Sequence, residues 1–182
     1  MKNPWRTLSR RTIYENPWLR LEEHDVINPG GGRNRYGKVC FRNQAVGVIP
    51  LGPDGETWLV GQYRYCLDAW SWEIPEGGSP EGEAPEETAR RELREETGLV
   101  AARIDPLLHL HLSNSVTDEE GFVFVARDLR QGETAFDETE DITVRRLPLE
   151  EAVAMALRGE ITDAMSVAGL LRLALARQAG EF

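Results

Sequence analysis

Cysteine is almost missing from this chain: Cys40 and Cys66 are the whole complement. Two are too few for a disulfide framework, so free thiols, buried in a reducing cytoplasm, are expected. Apolar runs of roughly 18 residues are also missing, which excludes a helix long enough to span a membrane. The opening Met1-Lys2-Asn3-Pro4-Trp5-Arg6 lacks the apolar stretch of a secretion signal. A cytoplasmic location with no membrane partner follows as the expectation. There is no low-complexity tract and no repeat of solenoid period. Positive charge is in deficit, with a net charge of −10. That argues against a nucleic-acid backbone as a partner. It leaves room for a small anionic substrate, because a bound metal reverses the field locally.

What is present is ordinary for a soluble globular protein, at 41% hydrophobic and 29% charged residues. The 182 residues suffice for one domain with a small appendage and a substantial core. Residues 1–43 hold three strand-like runs, Arg11–Tyr14, Leu19–Ile27 and Tyr36–Phe41, with an Asn28-Pro29-Gly30-Gly31-Gly32 turn before the last. A sheet that small is marginal alone and must pack on the main body or on a second subunit. Residues 44–182 read as the main domain. Ala45–Leu51 and Thr57–Tyr63 look like strands around a Pro53-Asp54-Gly55 turn, and Leu107–Leu112 and Gly121–Ala126 like two facing strands. One helix should open at Pro148 and run to Gly159, and another should start near Thr162 or Asp163. The expected fold class is α+β, a mixed sheet between helices, plus a small N-terminal antiparallel sheet.

The most informative segment is Gly77, five residues, Glu83, seven residues, then Arg91-Glu92-Leu93-Arg94-Glu95-Glu96-Thr97-Gly98-Leu99. Glu92, Glu95 and Glu96 stand at i, i+3 and i+4 and share one face of a helix, where like charges repel. A solvated acidic face is one reading of such a run. A hard divalent cation is the other, because Mg²⁺ takes carboxylate oxygens and keeps water and phosphate as further ligands. Pro85 suits a first helical turn, Glu86 and Glu87 suit the positive end of the dipole, and Gly98 suits the stop. Glu76-Gly77-Gly78-Ser79-Pro80 before it reads as turn chemistry.

With every fixed position filled, this string resembles the Nudix box, and the chain resembles a Nudix hydrolase. That family hydrolyses nucleoside diphosphates linked to another moiety and folds as an α/β/α sandwich. Gln62-Tyr63-Arg64-Tyr65, Trp72 to Gly78, Ser113 to Glu119, Glu138 to Ile142 and Gly159 to Asp163 extend the resemblance to its nucleoside diphosphate sugar branch, typified by ADP-ribose pyrophosphatases. The resemblance implies a Mg²⁺ cofactor, with Mn²⁺ as substitute. It implies metal ligation by Glu92, Glu95, Glu96, Glu140 and the Glu76 backbone carbonyl. Arg91 would hold the glutamates in place, Glu95 would share in catalysis, and Glu138 would act as general base. The other reading of residues 137–141 is a mobile acidic loop. Residues 1–43 would serve dimerisation and base binding, making the protein a homodimer.

For the substrate, Arg64 could bind a phosphate through its planar fork or could be a surface arginine. Trp5, Trp18 and Tyr36 are candidates to stack a base, with Trp5 and Tyr36 preferred. Glu73, Asp118 and Glu119 complete the expected substrate contacts. Asn114 and Ser115 stand where dedicated ADP-ribose enzymes carry proline and glycine, so more than one sugar, GDP-mannose among them, is expected to be accepted. Alternatives are FAD, dinucleotides or nucleoside triphosphates as substrates, or a non-catalytic nucleotide-sugar sensor. His24, His109 and His111 show no ligand spacing beyond alternation on a strand, and His109 and His111 read as structural.

Overall fold

The computed structural model describes residues 2–132 and 141–182. Strands β1 (Arg6–Glu15), β2 (Leu19–Ile27) and β3 (Arg33–Phe41) form an antiparallel sheet in that order. The turn between the last two closes where Asn28 accepts the Gly32 N–H on its side chain at 3.0 Å. Gly31 supplies the left-handed residue there, at φ 86°.

A four-stranded sheet carries the main domain, in the order β7 (Glu76–Ser79), β4 (Gln44–Pro50), β9 (Glu120–Gln131) and β8 (Leu99–His111). Its central pair, β4 and β9, is parallel and the outer pairs are antiparallel. A three-stranded antiparallel sheet has the order β10 (Thr143–Pro148), β5 (Glu56–Arg64) and β6 (Ala69–Glu73).

Side-chain alternation sends the two faces of the central pair to different cores. Val46, Val48, Phe124 and Ala126 meet Ala89 and Leu93 of helix α1 (Pro85–Thr97). Ile49, Val123 and Val125 meet helices α2 (Leu149–Leu157) and α3 (Ala164–Gln178) through Ala152, Met155, Met165, Leu170 and Leu173. The expected α+β layering, a mixed sheet between helices, is what these contacts build. Leu93 is fully buried, so Leu93→Ala should cost roughly 2–5 kcal/mol.

Three strands depart from the sequence reading. Trp70 to Pro75 reads as a lead into a loop, but Ala69–Glu73 pairs with β5 as β6. The Glu76–Ser79 segment reads as a turn but is strand β7, with Gly77 opposite Val46. Its glycine answers to space rather than to turning: a Cβ at Gly77 would run into the Glu92 carboxylate. Strand β10 buries only Leu147 of its six residues, so no apolar alternation announces it. Its ladder to β5, and Arg146 and Arg145 stacked over Trp58 and Trp72 at 5.2 and 5.9 Å, hold it. Both cysteines are free, Cys40 buried as expected but Cys66 exposed. Cys66 sits outside the sheet, in the turn after β5 where Asp68 takes a φ of 52°.

The N-terminal sheet is tied to the main domain through the loop between β8 and β9. Val39 donates its N–H to the Val116 carbonyl at 2.8 Å. Asp118 accepts the Phe41 N–H at 3.0 Å and pairs with Lys38 Nζ at 2.6 Å. The Tyr36 hydroxyl donates to the Ser115 carbonyl.

Candidate active site

Helix α1 starts with Pro85 and has Glu86 and Glu87 in its first turn. It stops at Gly98, left-handed at φ 71°, whose N–H bonds the Arg94 carbonyl. Between these ends it buries two of the box glutamates, Glu92 at 8% and Glu96 at 1% exposure. Carboxylates are costly to bury without partners, and the partners are specific. Arg91 Nη1 donates to Glu92 at 2.6 Å and to Glu95 at 3.1 Å. Its Nη2 donates to the Gly78 carbonyl at 3.0 Å and to Glu83 at 3.1 Å. One guanidinium thus joins strand β7, the loop at Glu83 and two turns of α1. Glu83 also accepts from the Thr88 hydroxyl at 2.8 Å. Arg91 and then Thr88 hold the Glu83 carboxyl below its ordinary range. Glu96 accepts the Glu76 backbone N–H at 2.9 Å, which fixes β7 against the helix from the other side.

Glu76 belongs to a second cluster, built by β5, β6 and β7. Arg64 Nε donates to both Glu73 oxygens at 3.0 Å, and its Nη2 donates to Glu73 and, at 3.1 Å, to Glu76 Oε1. Glu73 is buried beneath this fork. The other Glu76 oxygen, Oε2, is buried with no hydrogen-bond partner among the described residues. Burial pushes the Glu76 carboxyl well above the usual range, and the carboxylates of Asp163 and Glu73 push the same way.

Two openings meet at Arg64, Glu76 and Asp163. One, of about 370 Å³, adds Gly77, Gly78, Glu119, Trp18 and Phe41 to its walls. The other, of about 670 Å³, adds Tyr63, Tyr65, Glu73 and Thr162. Burial raises the Glu119 carboxyl. Asp163 is fixed as the N-cap of α3, accepting the Ser166 N–H at 2.7 Å.

The structure therefore brings together Arg64, Glu73, Glu76, Glu119, Arg91, Glu92, Glu95 and Glu96. Trp5 and Tyr36 stand apart, edge to face at 5.5 Å around a separate cavity of about 230 Å³ with His24 and Lys38. Among the described residues the aromatics that share an opening with Glu76 are Trp18, 67% exposed, and Phe41 on one side and Tyr63 and Tyr65 on the other. Asp118 and Tyr36 bond the two sides of the loop–β3 junction. Glu138 and Glu140 lie outside the described residues. Sequence reasoning passed over Asp163 and Phe41 as site residues. The signal for Asp163 was its place in the Gly159–Asp163 run at a helix start. Phe41, at the end of a strand, gave none.

The donor set suits a hard divalent cation. Glu73, Glu76, Glu83, Glu92, Glu95 and Glu96 face two guanidiniums, those of Arg64 and Arg91. That excess of carboxylate oxygen, with Glu76 Oε2 buried and unpartnered among the described residues, is the environment a hard cation would neutralise. Glu92, Glu95 and Glu96 are the side chains in position to hold it.

Residues 41–168 match the NUDIX domain, and residues 5–39 match the nucleoside diphosphate sugar hydrolase N-terminal domain. The chain is 34% identical over 173 residues to an ADP-ribose pyrophosphatase of Mycobacterium tuberculosis, covering 93% of this chain and 83% of that protein. It is 30% identical over 172 residues to an ADP-ribose pyrophosphatase of Bacillus subtilis, covering 93% and 92%. In fold it is similar to a solved ADP compounds hydrolase, with a TM-score of 0.86 over 98% of this chain and 97% of that one, at 23% identity.

Proposed function

This chain belongs to the NUDIX family, and from that premise we propose that it is a Mg²⁺-dependent pyrophosphohydrolase of nucleoside diphosphate sugars. The bond cut is the anhydride between the two phosphates, giving a nucleoside monophosphate and a sugar phosphate. The observation that carries this reading is the Arg91-tied glutamate cluster of α1, joined through the Glu76–Glu96 bond to the two openings that meet at Arg64. The match of residues 5–39 to the sugar-hydrolase N-terminal domain supports the substrate class.

The positions support the roles of the described residues, and the family resemblance those of Glu138 and Glu140. Glu92, Glu95, Glu96 and the Glu76 carbonyl would hold the metal, with Glu140 as a further ligand. When bound, the cation neutralises phosphoryl oxygens and lowers the pKa of a water. Arg91 positions Glu92 and Glu95 and keeps their repulsion from splaying the helix face. Arg64 spends Nε and Nη2 on Glu73 and Glu76, which orients its remaining nitrogen, Nη1, as the donor for a substrate phosphate. Glu73 thereby acts through Arg64. Glu119 accepts from sugar hydroxyls, and Trp18 covers the same opening. Glu138 is the general base.

The protein acts as a homodimer with residues 1–43 at the interface and residues 44–182 as the catalytic domain. Strand β1 is exposed along its whole length, with Leu8, Ile13 and Tyr14 uncovered. A second copy covering this sheet would bring its own N-terminal aromatics, Trp5 and Tyr36 among them, toward a nucleobase. Stacking there is worth roughly 1–3 kcal/mol per base. No helix is long and apolar enough to cross a membrane among the described residues.

Product chromatography after incubation with Mg²⁺ and a nucleotide panel tests the reading. ADP-ribose or GDP-mannose should yield AMP or GMP plus a sugar phosphate. Faster cleavage of nucleoside triphosphates or FAD would overturn the substrate class, and no cleavage of any would overturn the enzyme.

A further inference from the structure

His109 and His111 alternate along β8, so both imidazoles leave one side of the sheet. The ladder then adds what spacing along the chain could not. Glu120 of β9 lies directly opposite His111, and Phe122 directly opposite His109. One nitrogen of each histidine and one oxygen of Glu120 all fall within 4.8 Å of one another. The His109 ring stacks flat on Phe122, with centroids 4.6 Å apart and planes 7° apart, and meets the His111 ring edge-on at 5.1 Å. Among the described residues neither imidazole is in a hydrogen bond or ion pair. Glu120 uses Oε2 to accept from Gln44 at 3.2 Å, which steadies the carboxylate and leaves Oε1 to a further partner.

We propose that His109, His111 and Glu120 form a second metal site, for a borderline transition cation of the Zn²⁺ class, with a fourth position open to water. Two imidazoles and one carboxylate suit Zn²⁺ and select against Mg²⁺, which takes oxygen ligands. Ligand atoms on a tetrahedral zinc lie about 3.3 Å apart, given bonds of about 2.0–2.1 Å. The side chains need to close by at most about 1.5 Å from the observed spread. Both histidines are exposed, on the edge strand of their sheet, and the adjustment is a side-chain rotation that leaves the strand register in place. The site shares no residue with the glutamate cluster of α1 and does not rest on the hydrolase reading. His111 and Glu120 flank the start and end of the loop that carries Glu119 into the 370 Å³ opening and bonds β3 through Ser115 and Asp118. A cation here clamps the base of that loop.

The test uses tag-free full-length protein in saturating Mg²⁺, so that the carboxylate centre is already filled, titrated with Zn²⁺ by calorimetry. Wild type should take up one equivalent, and so should His24→Ala, whose histidine lies in the N-terminal sheet. The His109→Ala/His111→Ala double variant should bind at least ~10-fold more weakly, and Glu120→Gln should weaken binding in the same sense. Zn²⁺ should raise the thermal midpoint of wild type and not of the double variant. Circular dichroism checks that the double variant is folded. No uptake by wild type, or equal affinity in the folded double variant, would overturn the site.

Discussion

Gly77 in β7 and Gly37 in β3 are both strand glycines, yet a methyl group on each would meet opposite surroundings. At Gly77 it would collide with the Glu92 carboxylate, and at Gly37 it would find nothing within 4 Å. The two positions stand for their regions. Around α1 and β7, buried carboxylates are gripped by Arg91, Arg64 and a backbone N–H, with no space to spare at Gly77. In the N-terminal sheet β1 is bare on its whole length, and the sheet touches the main domain mainly through one loop. The first region is over-determined because it must hold like charges together before any cation arrives. The second is under-covered in one chain, as the proposed homodimer, with a second copy for its cover, would require.

The largest effect should come from the tight region. Glu96→Gln keeps the size of the side chain and an oxygen to accept the Glu76 N–H, so the fold should persist by circular dichroism. Turnover with saturating Mg²⁺ should fall at least ~100-fold, as for loss of a group that acts on transition-state charge. Near-normal turnover in folded Glu96→Gln would break the assignment of this region as the metal centre.

The glycine pair comes next and tests the contrast itself. Gly77→Ala should displace Glu92 and cut turnover on the order of 10- to 100-fold, the scale expected for misplacing a catalytic group by about 1 Å. Gly37→Ala should leave turnover unchanged and stability equal or slightly higher, since glycine weakens a strand interior. Steady-state kinetics and thermal melts on both variants decide it. Equal effects would mean that the packing difference between the regions has no functional weight.

The bare strand supplies the third test. Ile13→Asp puts a charge in the middle of the exposed face of β1. Light scattering should give the mass of two chains for wild type and of one for the variant. A wild-type monomer, or an unchanged mass in the variant, would remove the second copy as the cover.

The same two regions differ in how far the sequence announced them. The glutamates of α1 were legible because their partner is local: Arg91 lies within four residues of Glu92 and Glu95, and Pro85 and Gly98 mark the helix ends. Arg64 was legible as a candidate but not its fixation, because Glu73 reaches it only through the β5–β6 hairpin. Strand β7 was hidden because Gly77 answers to Glu92 of α1 and Gly78 to Asn43, neither of which local turn chemistry can register. The Glu120 partner of His111 was hidden for the same reason, since only strand register puts them opposite. The Trp5–Tyr36 pair was legible as two aromatics, but its distance from the glutamates was not.

The smallest effect concerns charge, and it has opposite signs in the two regions. Burial with like-charged neighbours pushes the Glu76 carboxyl up. In β2, Glu22 is also buried, but it accepts from His24 Nε2 and from Arg20 Nε, each at 2.8 Å. The hydrogen bond from His24, then the pull of Arg20, outweighs burial and holds the Glu22 carboxyl below its ordinary range. A carboxyl whose folded pKa lies below its unfolded one binds fewer protons in the folded state. Its contribution to stability is therefore complete above the unfolded value of about 4.3 and is lost as pH falls through the lowered folded value. Arg20 is 39% exposed at its side chain, so solvent screens the pair and the contribution is small. Thermal melts of Glu22→Gln and wild type should differ by no more than a few degrees at pH 7, in favour of wild type. The difference should shrink as the pH drops below about 4. A gap that stays constant across this window would mean that Glu22 supports the N-terminal sheet by shape and hydrogen bonding alone. The electrostatic half of the contrast between the two regions would then fall, while the packing half, read at Gly77 and Gly37, would stand.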